Sequence, residues 1–297
     1  MRNVRLLGDR LAGRFMLVMT VLTGLIVFAM GAGLYYRSLP ILRTKPLGEL
    51  LLSHSWHPLR GDFGFFPFIM GTLWVTGVAV AIAVPLCMLT AIYLSEYAHR
   101  YVRSWTSPLI DVLAGIPSVV YGMWGVLFVV PLVKNQVAPA FGATSTGYSV
   151  LTGGIVLAVM VFPIIIHVSV EVLRSVPYQV REASLSLGAT KWQTVKYVVL
   201  RRAMPGIIAA IVLGLSRAFG ETMAVLMVAG NVAKVPSSVF DPAYPLPALI
   251  ANNYGEMLSI PLYDSALLLA SLVLLLVVLG FNVMSRLILL KVERSIQ

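Results

Sequence analysis

Six stretches of this chain, at about 15–36, 71–95, 107–133, 150–173, 204–230 and 264–290, carry apolar side chains almost without interruption. A bilayer span needs about 20 such residues. None of the six alternates with the period of two that a barrel strand requires, so the spanning elements are helices. The pattern predicts an all-α, polytopic membrane protein in which residues 1–297 form a single transmembrane domain. The first stretch exceeds the apolar core of a signal peptide, and no small-residue cleavage site precedes Tyr35 and Tyr36. It reads as a retained helix.

The segments between the spans are uneven in character. The connections at about 37–70 and 231–263 are rich in Pro, Gly and aromatic residues and read as structured loops, suited either to returning the chain to the membrane or to external contacts. The connection at 175–203 is more orderly. Pro177 suits the first turn of a helix, which would carry Val180, Ala183 and Leu187 on one face. Gly188 suits its end, and Thr190 with Gln193 forms a capping box for a second helix. That second helix carries Trp192, Val195 and Val199 on one side, and Pro205 marks the start of the fifth span. So short an amphipathic pair requires cover, from a protein partner or from the bilayer surface. The polar Glu182, Ser184, Ser186 and Gln193 favour a protein partner.

Composition agrees with the membrane reading. Hydrophobic residues make up 59% of the chain and charged residues only 11%, against roughly 25% in soluble domains; the mean hydropathy is +0.89. The net charge of +10 is asymmetric. Arg2, Arg5, Arg10, Arg14, Arg100, Arg103, the basic residues of 174–202, and Arg286, Lys291 and Arg294 share one side. Arg37, Arg43, Lys45, Arg60, Lys134 and Lys234 share the other. The richer side is cytoplasmic by the positive-inside rule, so both termini should be there. The surplus suits anionic membrane lipid rather than nucleic acid. The lone Cys87 excludes an internal disulfide or a thiolate cluster. His54 and His57 lack a third ligand nearby, so no metal site is expected.

Two charges stand inside an apolar run, in "LSRAFGETMAVLMVAGN". Each costs about 2.5–3.5 kcal/mol at a bilayer centre. On a continuous helix Arg217 and Glu221 share a face and can pair, with Gly220 beside them open to a close approach. One reading is a salt pair that anchors the helix. The other is a polar lining for an anion's route, since a guanidinium matches a tetrahedral oxyanion. Elsewhere, Asp111 suits capping or pairing near the start of the third span, Pro117 a kink in it, and His167 a pair with Glu171. Gly31, Gly33, Gly153 and Gly154 suit close helix packing.

The run "REASLSLGATKWQTV", with Glu182-Ala183-Ser184, then Gly188, then Pro205, resembles the coupling loop of ABC-importer permeases, although Ser184 stands where that family usually has alanine. "FGFFPFIMGTLWVT", "LAGIPSVVYGMWG" and "RAFGETMAVLMVAGN" resemble the permeases of the phosphate-specific ABC transporter, most closely its C-type subunit. The likeness runs from Phe63 to the sixth span.

The resemblance implies a non-enzymatic inner-membrane subunit that imports phosphate by alternating access. Glu182, Ala183, Ser184 and Gly188 would couple it to an ATPase, and Arg217 and Glu221 would line the path. It further implies a homologous permease as heterodimer partner, two ATPase subunits, and an extracytoplasmic phosphate-binding protein. ATP and Mg would sit on the ATPase, since this chain has no phosphate loop of the GxxxxGK[ST] form and carries no cofactor. The alternatives are the A-type subunit, an importer of another oxyanion, an ion-gradient-driven secondary transporter, and a second role in signalling phosphate status.

Overall fold

A backbone in hydrocarbon must satisfy its own hydrogen bonds, and the apolar runs do so as helices. The computed structural model describes residues 2–256 and 260–296. The side chains of 2–11, 285 and 288–296 lie outside that description, among them Arg2, Arg5, Arg10, Lys291 and Arg294. In chain order the elements are α1 Arg2–Thr44, α2 Leu47–Leu52, β1 Trp56–His57, β2 Asp62–Phe63, α3 Phe66–Tyr97 and α4 Arg100–Gly115. There follow α5 Ser118–Ala140, α6 Val150–Ser175, α7 Tyr178–Ser186, α8 Lys191–Phe219, α9 Met223–Val228, α10 Leu246–Asn253 and α11 Tyr263–Ile296. Among the described residues six helices are long and apolar enough to cross a membrane, within α1, α3, α5, α6, α8 and α11.

Three spans differ from the sequence pattern. The first helix continues to Thr44, beyond the expected end near 36. The expected third span, 107–133, is two helices: α4 stops at Gly115, Ile116 and Pro117 are extended with ψ of 128° and 144°, and α5 begins at Ser118. Proline disfavours helix at the residue before it and donates no amide, so Pro117 breaks the element instead of kinking it. The Tyr121 hydroxyl donates to the Leu113 carbonyl at 2.8 Å and bridges the break. Asp111 therefore stands on the amphipathic α4, which exposes Tyr101, Trp105 and Leu109. The expected fifth span, 204–230, begins earlier and ends earlier. α8 runs through Pro205 from Lys191, with a π segment at Thr194–Val199 just upstream, and stops at Phe219. Wide turns of this kind absorb a missing helical hydrogen bond.

α3 and α6 form the centre, meeting through Val75, Ala79, Ala83, Leu157 and Ala158. Close approach depends on Gly153 and Gly154. A Cβ on Gly153 would stand 3.2 Å from Val75 Cγ1, and one on Gly154 would overlap Val78. Gly31 and Gly33 play no such part, for Gly33 faces open space and Gly31 has only an ordinary 3.8 Å contact with Leu275. α1 packs on α11 and otherwise presents Phe15, Leu25, Phe28 and their neighbours outward. At the end opposite the α7 loop, the two aromatic-rich connections fold together. A small β1–β2 hairpin, a minor departure from all-α structure, sets Trp56 against Phe63, Phe65 and Phe68, with Tyr263 and Leu249 in the same core. His54 packs its ring 4.5 Å from Phe66. The Leu246 amide donates to Thr72 Oγ1 at 2.8 Å, tying the second loop to α3.

Candidate functional site: a helix break and a helical hairpin

Arg217 and Glu221 do not share a helix. α8 ends at Phe219, Gly220 caps it, and Glu221 lies in the break before α9. No ion pair joins the two among the described residues. Glu221 Oε1 instead accepts from the Ala224 amide at 3.3 Å, setting a carboxylate over the first turn of α9. That is where a helix favours negative charge. Gly220 permits no special approach, since a Cβ there would make ordinary contacts at 3.8 Å.

The end of α8 is held elsewhere. Ser216 Oγ donates to Asn282 Oδ1 at 3.1 Å, and Phe219 stacks on Phe281 at 4.6 Å. Ala218 and Phe219 are buried, whereas Arg217 between these anchors is exposed, with its charge within reach of Tyr121 on α5. Glu221 shares a narrow void with Thr72, Thr76 and Pro245, so the break adjoins both α3 and the second outer loop. α9 then packs on α5, where Gly122 admits Ala224 and Met227.

At the other end of the molecule lies the 175–203 hairpin. Pro177 precedes α7, Gly188 turns the chain with φ +84°, and Thr190 and Gln193 close the capping box at 3.3 and 2.8 Å. The second limb is not a separate helix. It is the start of α8, so the hairpin is continuous with the fifth span through Pro205. Ser184 Oγ and Thr194 Oγ1 lie 2.9 Å apart and join the two limbs. Glu182 and Ala183 point outward, and Tyr178, Leu187 and Trp192 add an open apolar surface.

The hairpin is anchored by a residue that the sequence reading counted only as a basic charge. Arg181 Nη2 donates to Glu96 Oε1 at 2.9 Å and to the Leu173 carbonyl at 2.8 Å. Its Nε reaches Glu96 Oε2 at 3.4 Å, and Nη1 donates to the Val176 carbonyl. One guanidinium thus joins α7 to the ends of α3 and α6. The only sequence signal was a lone glutamate closing the second apolar run. Arg103 caps the end of α3 in the same way, giving 2.8 Å bonds to the Leu94 and Ser95 carbonyls. His167, expected beside Glu171, instead faces Asp111 of α4 at 3.8 Å.

Comparison with known proteins places these features in context. The family described as binding-protein-dependent transport system inner membrane component matches residues 83–296. A Bacillus subtilis protein named probable ABC transporter permease protein YqgH is 42% identical over 210 residues, covering 70% of this chain and 66% of that protein. The phosphate transport system permease protein PstC of Xylella fastidiosa is 38% identical over 257 residues, covering 82% of this chain and 79% of that protein. Among solved structures, the inward-facing methionine ABC transporter MetNI superposes with a TM-score of 0.56 at 20% identity, over 75% of this chain and 93% of that one. That likeness concerns the fold.

Proposed function

This chain belongs to the family of binding-protein-dependent transport system inner membrane components, and on that premise we propose that it is the C-type permease subunit of an ATP-driven inorganic phosphate importer. It is a multi-pass inner-membrane protein and a non-catalytic part of its transporter. A homologous permease would complete the pathway as a heterodimer. Two ATPase subunits carrying ATP and Mg would sit against the cytoplasmic hairpin, and an extracytoplasmic phosphate-binding protein would dock on the aromatic-rich cap.

The observation that carries this reading is the hairpin itself. Its outer surface is open at Glu182, Ala183, Leu187 and Trp192, while Arg181 and Ser184 hold its inner side to α3, α6 and α8. A push on the open face therefore moves three spans together. ATPase closure would enter there, Gly188 would keep the bend, and the spans would reorient between two states. Arg217 would meet the passing anion as a planar set of donors. It stands exposed on this subunit, on the surface that a second permease would enclose. Glu221 would hold the half-helix α9 in register rather than neutralise the arginine.

The test is phosphate uptake into proteoliposomes containing the chain with its partner permease, ATPase and binding protein. Uptake should require ATP. Glu182→Lys should leave ATP hydrolysis running without transport, and Arg217→Gln should stop transport in a complex that still assembles. Uptake that follows an ion gradient without ATP would overturn the importer reading.

A further inference from the structure

Beside the Arg181 joint, on the coupling-hairpin side of the molecule, α3, α4 and α6 enclose an open cavity of about 300 Å³. Leu94, Arg103, Ser107, His167, Glu171 and Arg174 line it. Arg103 and Arg174 also line the adjoining cleft of about 580 Å³, which reaches Lys191 at the start of α8.

The two arginines differ in their commitments. Arg103 is held in place by the Leu94 and Ser95 carbonyls through Nε and Nη2, and its Nη1 makes no hydrogen bond among the described residues. Arg174 makes neither a hydrogen bond nor an ion pair among the described residues, and Glu171 in the same lining does not engage it. Lys191 rests its ammonium 4.5 Å above the Tyr97 ring, a contact that leaves its charge available. The hollow therefore combines one preorganised guanidinium, one unpaired guanidinium and a hydroxyl, beside the Glu171 carboxylate and an imidazole that faces Asp111. Such a donor set suits a tetrahedral oxyanion that takes charge-assisted bonds from two guanidinium groups. α4 closes one side and exposes Tyr101, Trp105 and Leu109, as a helix lying at a membrane interface does.

We propose that this cavity binds a phosphate-bearing anion, either an acidic lipid headgroup or free inorganic phosphate, held by Arg174, Arg103 and Ser107. The site is separate from the helix break at Arg217, near the other end of α8, and does not rest on the transport reading. Basic pockets between spans accept headgroups in this way. Occupancy would fasten α4 to the ends of α3 and α6 beside the Arg181 joint, and so tune how the hairpin moves.

The experiment uses the permease pair with its ATPase, without the binding protein, in nanodiscs of phosphatidylcholine, with or without phosphatidylglycerol, and titrates inorganic phosphate into the phosphatidylcholine discs. Thermal unfolding and native mass spectrometry are the readouts. A rise of several degrees with retained phosphatidylglycerol identifies the headgroup as occupant. The same rise with phosphate in phosphatidylcholine discs identifies the free ion. In either case Arg174→Gln should abolish the response, Ser107→Ala should reduce it, and Arg217→Gln should leave it intact. No response in the unmodified complex overturns the site, as does an equal response in Arg174→Gln. So does a phosphate response that disappears in Arg217→Gln and survives in Arg174→Gln.

Discussion

Arg181 and Glu96 stand 85 residues apart in sequence and share two hydrogen bonds, at 2.9 and 3.4 Å, at the junction of α7 with the second and fourth spans. Their side chains retain only 14% and 9% of their exposure, so little water competes for them. Removing one partner from such a pair strands the other, at about 3–5 kcal/mol. We expect Glu96→Gln to detach the hairpin, so that ATP hydrolysis continues while uptake falls at least tenfold. The exchange of both residues, Glu96→Arg with Arg181→Glu, should restore part of the coupling. If Glu96→Gln transports at the normal ratio of phosphate to ATP, the joint does not transmit motion.

Ser184 stands where the resemblance leads one to expect alanine, and its hydroxyl meets Thr194 at 2.9 Å. One such bond contributes about 1 kcal/mol. A double-mutant cycle of Ser184→Ala and Thr194→Val should show a coupling energy of that size in the stability of the complex. Strictly additive losses would mean that the two limbs are held by packing alone.

The separation of Arg217 from Glu221 makes their variants distinguishable. Glu221→Ala removes the acceptor over α9, a loss of about 1 kcal/mol for an N-terminal cap, and should speed hydrogen exchange at the Ala224 amide. Arg217→Gln should leave that amide protected while abolishing uptake. Equal deprotection by both would point to an interaction between the two charges.

Asp241, in the outer loop, should report pH. Its carboxylate accepts from the Ser237 hydroxyl at 2.7 Å and from the Ser237 and Ser238 amides at 2.9 and 3.0 Å. The Ser237 hydroxyl, then its amide, then Ser238 and the nearby Lys234 hold the acid below the usual carboxylate range. A lowered folded-state value means that the tie is fully present above the ordinary aspartate range and is lost as pH falls through the lowered value. Protection of the two serine amides should be constant near neutral pH and decline below the carboxylate range. Asp241→Asn should weaken it near neutral pH and remove the acid limb, and an unmodified protein with no acid limb would show that the loop is held by other contacts.

Gly188 turns the hairpin at φ +84°, where a side chain costs roughly 1–2 kcal/mol. Gly188→Val should therefore weaken binding of the ATPase to the permease pair, measured by co-purification. Open space surrounds the position, so any loss arises from the backbone and not from a clash.

The sequence by itself determined what each short segment can settle alone. A run of some twenty apolar residues must be a helix in hydrocarbon, whatever its neighbours are. The Thr190 capping box and the Gly188 turn each involve only a few adjacent residues, and both were legible for that reason. The Ile116–Pro117 break was equally local, but the apolar run crossing it hid the proline's effect. The gap at Gly220–Thr222 had no comparable signal, because a glycine and a threonine are tolerated in many spans. Only the packed structure separated Arg217 from Glu221, through the anchoring of α8 on α11 and of α9 on α5. Tertiary structure alone also chose Arg181 for Glu96 and Asp111 for His167. Charge pairing depends on distance in space, and for these partners that distance was set by how α3, α4, α6 and α7 meet.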